Sequence, residues 1–100
     1  MRAMIGRFEA DRIERRAGGS LCLVEVRSRP TIALALASVG RRKRRRLAWM
    51  AKRLAAITAE PVTIEVEAAG KDGVARRVVG HVYPDGADQS RVARFRSSSA

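Results

Sequence analysis

The stretch Leu21-Cys22-Leu23-Val24-Glu25-Val26-Arg27-Ser28-Arg29 decides the fold. A strand repeats every two residues, so Leu21, Leu23, Glu25 and Arg27 share one face while Cys22, Val24 and Val26 share the other. Apolar residues on both faces predict a central strand covered on two sides. Glu25 and Arg27 stand out on that pattern, because a carboxylate and a guanidinium on a covered face are costly to bury without partners.

Immediately upstream, residues 7–16 read Arg-Phe-Glu-Ala-Asp-Arg-Ile-Glu-Arg-Arg, too polar for a buried strand and too short for a convincing helix. With Ala17-Gly18-Gly19 as the loop, this segment pairs with residues 21–27 as a hairpin. A three-residue loop sets Asp11 opposite Glu25, Glu9 opposite Arg27 and Ile13 opposite Leu23. Facing side chains have Cβ atoms roughly 4.5–5.5 Å apart, so this register gathers three acids and one base. A two-residue Gly-Gly loop would set Asp11 opposite Val26 and disperse the cluster.

Downstream, Thr31 to Val39 follows Pro30 as a short strand or packed loop. A helix over Arg41 to Ile57 is the clearest periodic element, with Leu47, Met50, Leu54 and Ile57 along one face and alanines throughout. Lys43 falls on the apolar stripe, one turn before Leu47, whereas Trp49 projects among Arg42, Arg45, Arg46, Lys52 and Arg53. Pro61 stops the helix. Val62, Ile64 and Val66 alternate with Thr63, Glu65 and Glu67 in a strand that turns at Gly70-Lys71-Asp72-Gly73 and returns as Val74 to Tyr83. The expected fold is α/β, a small mixed sheet with a central hairpin and one crossing basic helix. Residues 1–86 form a single domain, and residues 87–100, rich in Ser and Arg without period, are expected to be a disordered basic tail.

A net charge of +11, from 21 Lys plus Arg against 10 acids, points to a polyanionic partner. Nucleic acid (DNA or RNA) comes first and an anionic membrane surface second. The longest apolar stretch, Thr31 to Gly40, is too short to span a bilayer, and Met1-Arg-Ala-Met-Ile-Gly lacks the apolar core of a secretory signal. A single cysteine, Cys22, forbids an internal disulfide and reads as a core residue in a reducing cytoplasm. His81 has no second His or Cys at ligand spacing, which argues against zinc.

Arg41-Arg42-Lys43-Arg44-Arg45-Arg46 opens the helix, where the helix macrodipole disfavours cations and like charges repel. A phosphate backbone would offset both costs, so this run, with Lys52 one face along, is the candidate nucleic-acid contact. Trp49 either stacks on an unpaired base or is partly buried against another element. Asp11 and Glu25 on paired strands form a hard-oxygen pair of the kind that holds Mg²⁺, with water and substrate phosphate filling the remaining positions. A neighbouring cation would stabilise the charge that develops during attack on a phosphodiester.

Phe8-Glu9-Ala10-Asp11-Arg12-Ile13 resembles the Gly-Glu-Ile-Asp-Leu-Ile motif of the YraN family, bacterial proteins with a restriction-endonuclease-like fold. Leu23-Val24-Glu25-Val26-Arg27-Ser28-Arg29 resembles that family's Phe-Val-Glu-Val-Lys-x-Arg. Ala37-Ser38-Val39 through Lys43 and Arg46-Leu47 resembles its helix start, and Val62 to Ala68 is similar to its later strand. The likeness runs in order over roughly residues 7–85. It implies a nuclease-superfamily site in which Asp11 and Glu25 are metal ligands, Glu9 and Arg27 complete the catalytic group, and the reaction is Mg²⁺-dependent phosphodiester hydrolysis. Arg27 occupies the usual lysine position; it stays protonated and so can stabilise charge but not act as a base. Phe8 replaces the family's Gly, and Glu65 stands where the family has Asp. The family opens with a helix for which this sequence has no counterpart before the acidic motif, which implies a homodimer or a partner chain over one sheet face. A catalytically inactive, basic nucleic-acid-binding or structural domain is the alternative function.

Overall fold

A computed structural model describes residues 2–84. Six strands and two helices follow in chain order: β1 (Ala3–Ile5), β2 (Phe8–Ala10), β3 (Arg12–Arg15), β4 (Leu21–Ser28), α1 (Ile32–Ala37), α2 (Arg41–Thr58), β5 (Val62–Gly70) and β6 (Gly73–Val82). The architecture is mixed α/β: a four-stranded sheet in the order β3-β4-β5-β6, a separate two-stranded β1-β2 ribbon and one long helix. β3 and β6 run antiparallel to their neighbours, while β4 and β5 are parallel. A parallel pair requires a long crossover, and α1 and α2 together supply it. The expected tail, residues 87–100, lies outside the described residues.

The β3-β4 hairpin has the three-residue-loop register, with Ile13 facing Leu23 and Arg15 facing Leu21. Residues 7–16 are nevertheless not one strand. The chain bends at Asp11, which separates β2 from β3. β2 pairs instead with β1 through a two-residue Gly6-Arg7 loop, Ile5 facing Phe8. Gly6 has φ +62°, and a Cβ there would lie 2.7 Å from the Trp49 ring, so both backbone and packing require glycine. This hairpin corrects the expectation that Glu9 faces Arg27: Glu9 pairs with Met4.

Thr31 to Val39 is neither strand nor loop; residues 32–37 are the helix α1. Thr31 caps it, its side chain accepting from Leu34 N at 3.2 Å, and Asp72 of the β5-β6 turn accepts from Ile32 N at 2.9 Å. Two oxygens thus meet first-turn N–H groups that the helix itself leaves unpaired, which favours the helix over the extended form that Ile32, Leu34 and Leu36 suggest by alternation. A Cβ on Gly70 would meet the Thr31–Ile32 backbone at 2.6–2.7 Å, so the turn can approach α1 only with glycine there.

α2 starts at Gly40, which offers no side-chain cap, and ends at Ala59 in the left-handed region (φ 56°) just before Pro61. Leu47, Met50, Ala51 and Ala55 are buried against the sheet, with Leu54 packed at the edge. Ile57, expected on the same face, is 72 % exposed, because the alanines at 51 and 55 bring the backbone close and rotate the contact stripe away from it. Leu21, Leu23, Val62, Ile64, Val66 and Val82 complete the core from the sheet. Each fully buried Leu or Met contributes about 1.5–3 kcal/mol.

The opposite sheet face carries no helix among the described residues. Arg12 pairs with Glu14 and Glu67, Arg16 with Glu65, and Arg76 with Glu14 and Glu65. Beneath this lattice Cys22 is fully buried, its Sγ 3.1 Å from Glu65 Oε2. Burial and the contact with Glu65 push the thiol up to about 11, leaving it a neutral core residue at physiological pH.

Candidate metal centre and nucleic-acid interface

β4 delivers Glu25 to the helix-covered face at the point where its buried run ends. The glutamate is 4 % exposed. Asp11, at the bend before β3, points its carboxylate to the same place, Oδ2 accepting from Val26 N at 2.9 Å. The two carboxyl groups interact directly. Burial pushes the Glu25 carboxyl above its ordinary range, and the charge of Asp11 and a hydrogen bond between the two acids push it further. Lys43 and Arg27 oppose this rise without cancelling it.

Both cations approach one oxygen. Arg27 Nε lies 3.0 Å from Glu25 Oε2, and Lys43 Nζ lies 3.5 Å from the same atom. The Arg27 Nε is buried and makes no properly directed hydrogen bond, so its contact with Glu25 is one of charge rather than of aligned donor and acceptor. Lys43 lies where its position on the apolar stripe puts it, turned inward by α2 onto the acidic pair, so it is withdrawn from the nucleic-acid contact expected of the whole 41–46 run. One turn before Leu47, an inward-facing lysine must find a carboxylate.

The structure therefore brings together Asp11, Glu25, Arg27 and Lys43, and leaves Glu9 out. Glu9 sits on β2, its side chain 49 % exposed and 3.2 Å from Arg2 Nη1. No group of three or more His, Cys, Asp or Glu side chains at metal-binding separation occurs among the described residues. The hard-oxygen pair of Asp11 and Glu25 still suits Mg²⁺, which commonly takes one or two protein carboxylates and completes its shell with water and phosphate oxygens. Burial, the main cause of the rise, and the neighbouring Asp11 charge both disfavour the ionised Glu25 carboxylate, and a divalent cation at the pair would act against both.

The remaining cations at the start of α2 face outward. Arg41, Arg42, Arg44 and Arg45 are exposed and make no ion pair with a described carboxylate. The first turn of α2 contains no acidic residue, so the cations also go without local compensation. Arg46 instead lies over the Phe8 ring at 5.0 Å. Trp49 is 40 % exposed, packs edge-on against Phe8 at 5.3 Å and is covered by Arg53 at 5.4 Å. Its role is thus to fasten the β1-β2 ribbon to α2, the partial burial that sequence reasoning held open. Lys52 projects toward β6.

No helix among the described residues is long and apolar enough to cross a membrane. Comparison with protein-family models, with curated proteins and with solved structures finds no match to this chain.

Proposed function

We propose that this chain is a nucleic-acid-binding domain of restriction-endonuclease-like fold that hydrolyses phosphodiesters with Mg²⁺ held at Asp11 and Glu25. One observation carries the reading: two interacting carboxyls, one of them buried, meet two cations beside a helix start crowded with exposed arginines. The resemblance of the β3-β4 hairpin and of the α2 start to the YraN family supports the same conclusion.

Bound there, the metal would polarise a phosphoryl oxygen and lower the pKa of a water. The chain's own residues do the rest. Asp11 is fixed in direction by the Val26 N–H, and Glu25 by its place on the central strand. The Lys43 ammonium and the Arg27 guanidinium offset the charge that develops on the phosphate. Arg41, Arg42, Arg44 and Arg45 hold the flanking backbone.

The test incubates the purified protein with labelled DNA and RNA, with Mg²⁺ or with chelator, at two salt concentrations. Mg²⁺-dependent cleavage that Asp11→Asn and Glu25→Gln abolish is expected, while Glu9→Gln retains it. Cleavage that persists in both variants would refute the assignment. A second reading, a catalytically inactive binding domain, is favoured by the two cations that already neutralise Glu25 Oε2. It requires equal binding in chelator and no cleavage.

A further inference from the structure

Beside the acidic pair, on the same sheet face, lies a recess of ≈ 350 Å³ between α1, α2 and the β5-β6 strands. Strand register fixes how the two are related. Val66 is the β5 neighbour of Glu25, and Arg77 is the β6 neighbour of Val66. Val66 and Arg77 both line the recess. Adjacent strands are about 4.8 Å apart, so Arg77 stands two strands, roughly 10 Å, from Glu25 along one row. A second recess of ≈ 250 Å³ continues along β6, sharing Arg44 and Val79 with the first and adding Lys52.

The chemistry of the two recesses is mixed in a specific way. Leu36, Val66 and Val79 provide apolar surface, and Arg44, Arg77 and Lys52 provide the charge. No carboxylate among the described residues lines either recess. None of the three cations makes an ion pair with a described carboxylate, whereas Arg12, Arg16 and Arg76 on the opposite sheet face are all paired. Flat apolar ligands carrying phosphate match such a lining: a guanidinium stacks on a base or forks onto a phosphate, and aliphatic side chains cover the base face. A base held in a duplex is stacked and paired and cannot enter; only an unpaired nucleotide can.

We propose that these recesses are a binding site for unpaired nucleotides, so that the strand presented to Asp11 and Glu25 is single-stranded. The proposal rests on the nucleic-acid reading above and narrows it to one substrate class. Arg44 and Arg77 clamp the phosphates on either side of a base seated over Val66, next to the reacting linkage. Duplex nucleic acid meets only the outward arginines of α2.

Fluorescence anisotropy with a labelled single-stranded oligonucleotide and with a hairpin duplex of equal length tests this, in chelator so that neither is cut. Ala33→Leu/Ala37→Leu fills the first recess from two exposed positions of α1, and Arg77→Ala removes a clamp. Lys71→Ala, at the β5-β6 turn, removes the same charge elsewhere. Melting curves confirm that each variant folds. The filled variant and Arg77→Ala should each lose roughly tenfold in single-strand affinity, the worth of one stacked base, with duplex affinity changed less than twofold and Lys71→Ala near wild type. Equal losses on both ligands, no loss on either, or displacement of the single strand by an acidic peptide would overturn the proposal while leaving the nucleic-acid reading in place. A wild-type protein that binds neither oligonucleotide would overturn both.

Discussion

Glu25→Gln should make the protein more stable without metal and indifferent to metal. The folded state holds the Glu25 proton more tightly than an unfolded chain does, chiefly through burial and secondly through Asp11. For a carboxyl raised in this way the folded form binds more protons, so stability falls as pH rises from the ordinary value of 4.5 through the folded value. Above that window the ionised side chain subtracts from stability in full; below it the penalty vanishes. Glutamine keeps the shape and removes the charge, so in chelator at pH 7 the variant should melt above wild type, and the gap should close as the pH drops through the carboxylate range. Metal reverses the order. A ligand present at ten times its Kd stabilises the folded state by about 1.4 kcal/mol, which for a domain of this size raises Tm by about 6–11 °C. Wild type should show that gain in Mg²⁺ and Glu25→Gln should not. The assay is differential scanning calorimetry of both proteins across pH, with Mg²⁺ or chelator. A variant that melts below wild type in chelator, together with a wild type that Mg²⁺ does not move, would refute the view of Glu25 as a charge kept for a cation.

Two further outcomes are expected. Arg41, Arg42, Arg44 and Arg45 make no ion pair with a described carboxylate, and if each meets one phosphate the logarithm of duplex affinity should fall against that of salt with a slope of about −3.6, or roughly 150-fold between 50 and 200 mM; Arg41→Gln/Arg42→Gln should halve the slope, and an unchanged slope would place the contact elsewhere. Met50, with no exposed surface at the centre of the α2 contact, should cost about 2–5 kcal/mol when cut to alanine, read as a lower urea midpoint.

Much of the sheet is legible in the sequence because its determinants are local. Ala17-Gly18-Gly19 sets the β3-β4 register, and the alternation of Val62, Ile64 and Val66 up to the Gly70–Gly73 turn sets β5 and β6. Asp11 reaches Glu25 as that register requires, although it does so from a bend rather than from a ladder position. What the pattern conceals is tertiary. Gly6 lets β1 and β2 close on themselves against Trp49, which removes Glu9 from the cluster. The fate of Thr31 to Val39 depends on Asp72, some 40 residues away, whose oxygen helps hold the first turn of α1. Ile57 loses the core because small neighbours at 51 and 55 let the helix sit closer than periodicity alone implies. Lys43 carried its signal openly, but six consecutive cations invite one explanation for all of them.

The ion-pair lattice on the helix-free sheet face has a consequence for how the molecule meets a partner. Arg12, Arg16 and Arg76 are matched by Glu14, Glu65 and Glu67, so these six charges cancel, whereas Arg41, Arg42, Arg44 and Arg45 stand exposed on α2 across the sheet. Such an asymmetric body turns in the field of a polyanion before touching it. Collisions would then be biased toward the side where Lys43 and Glu25 lie, and productive encounters would outnumber those that random tumbling allows.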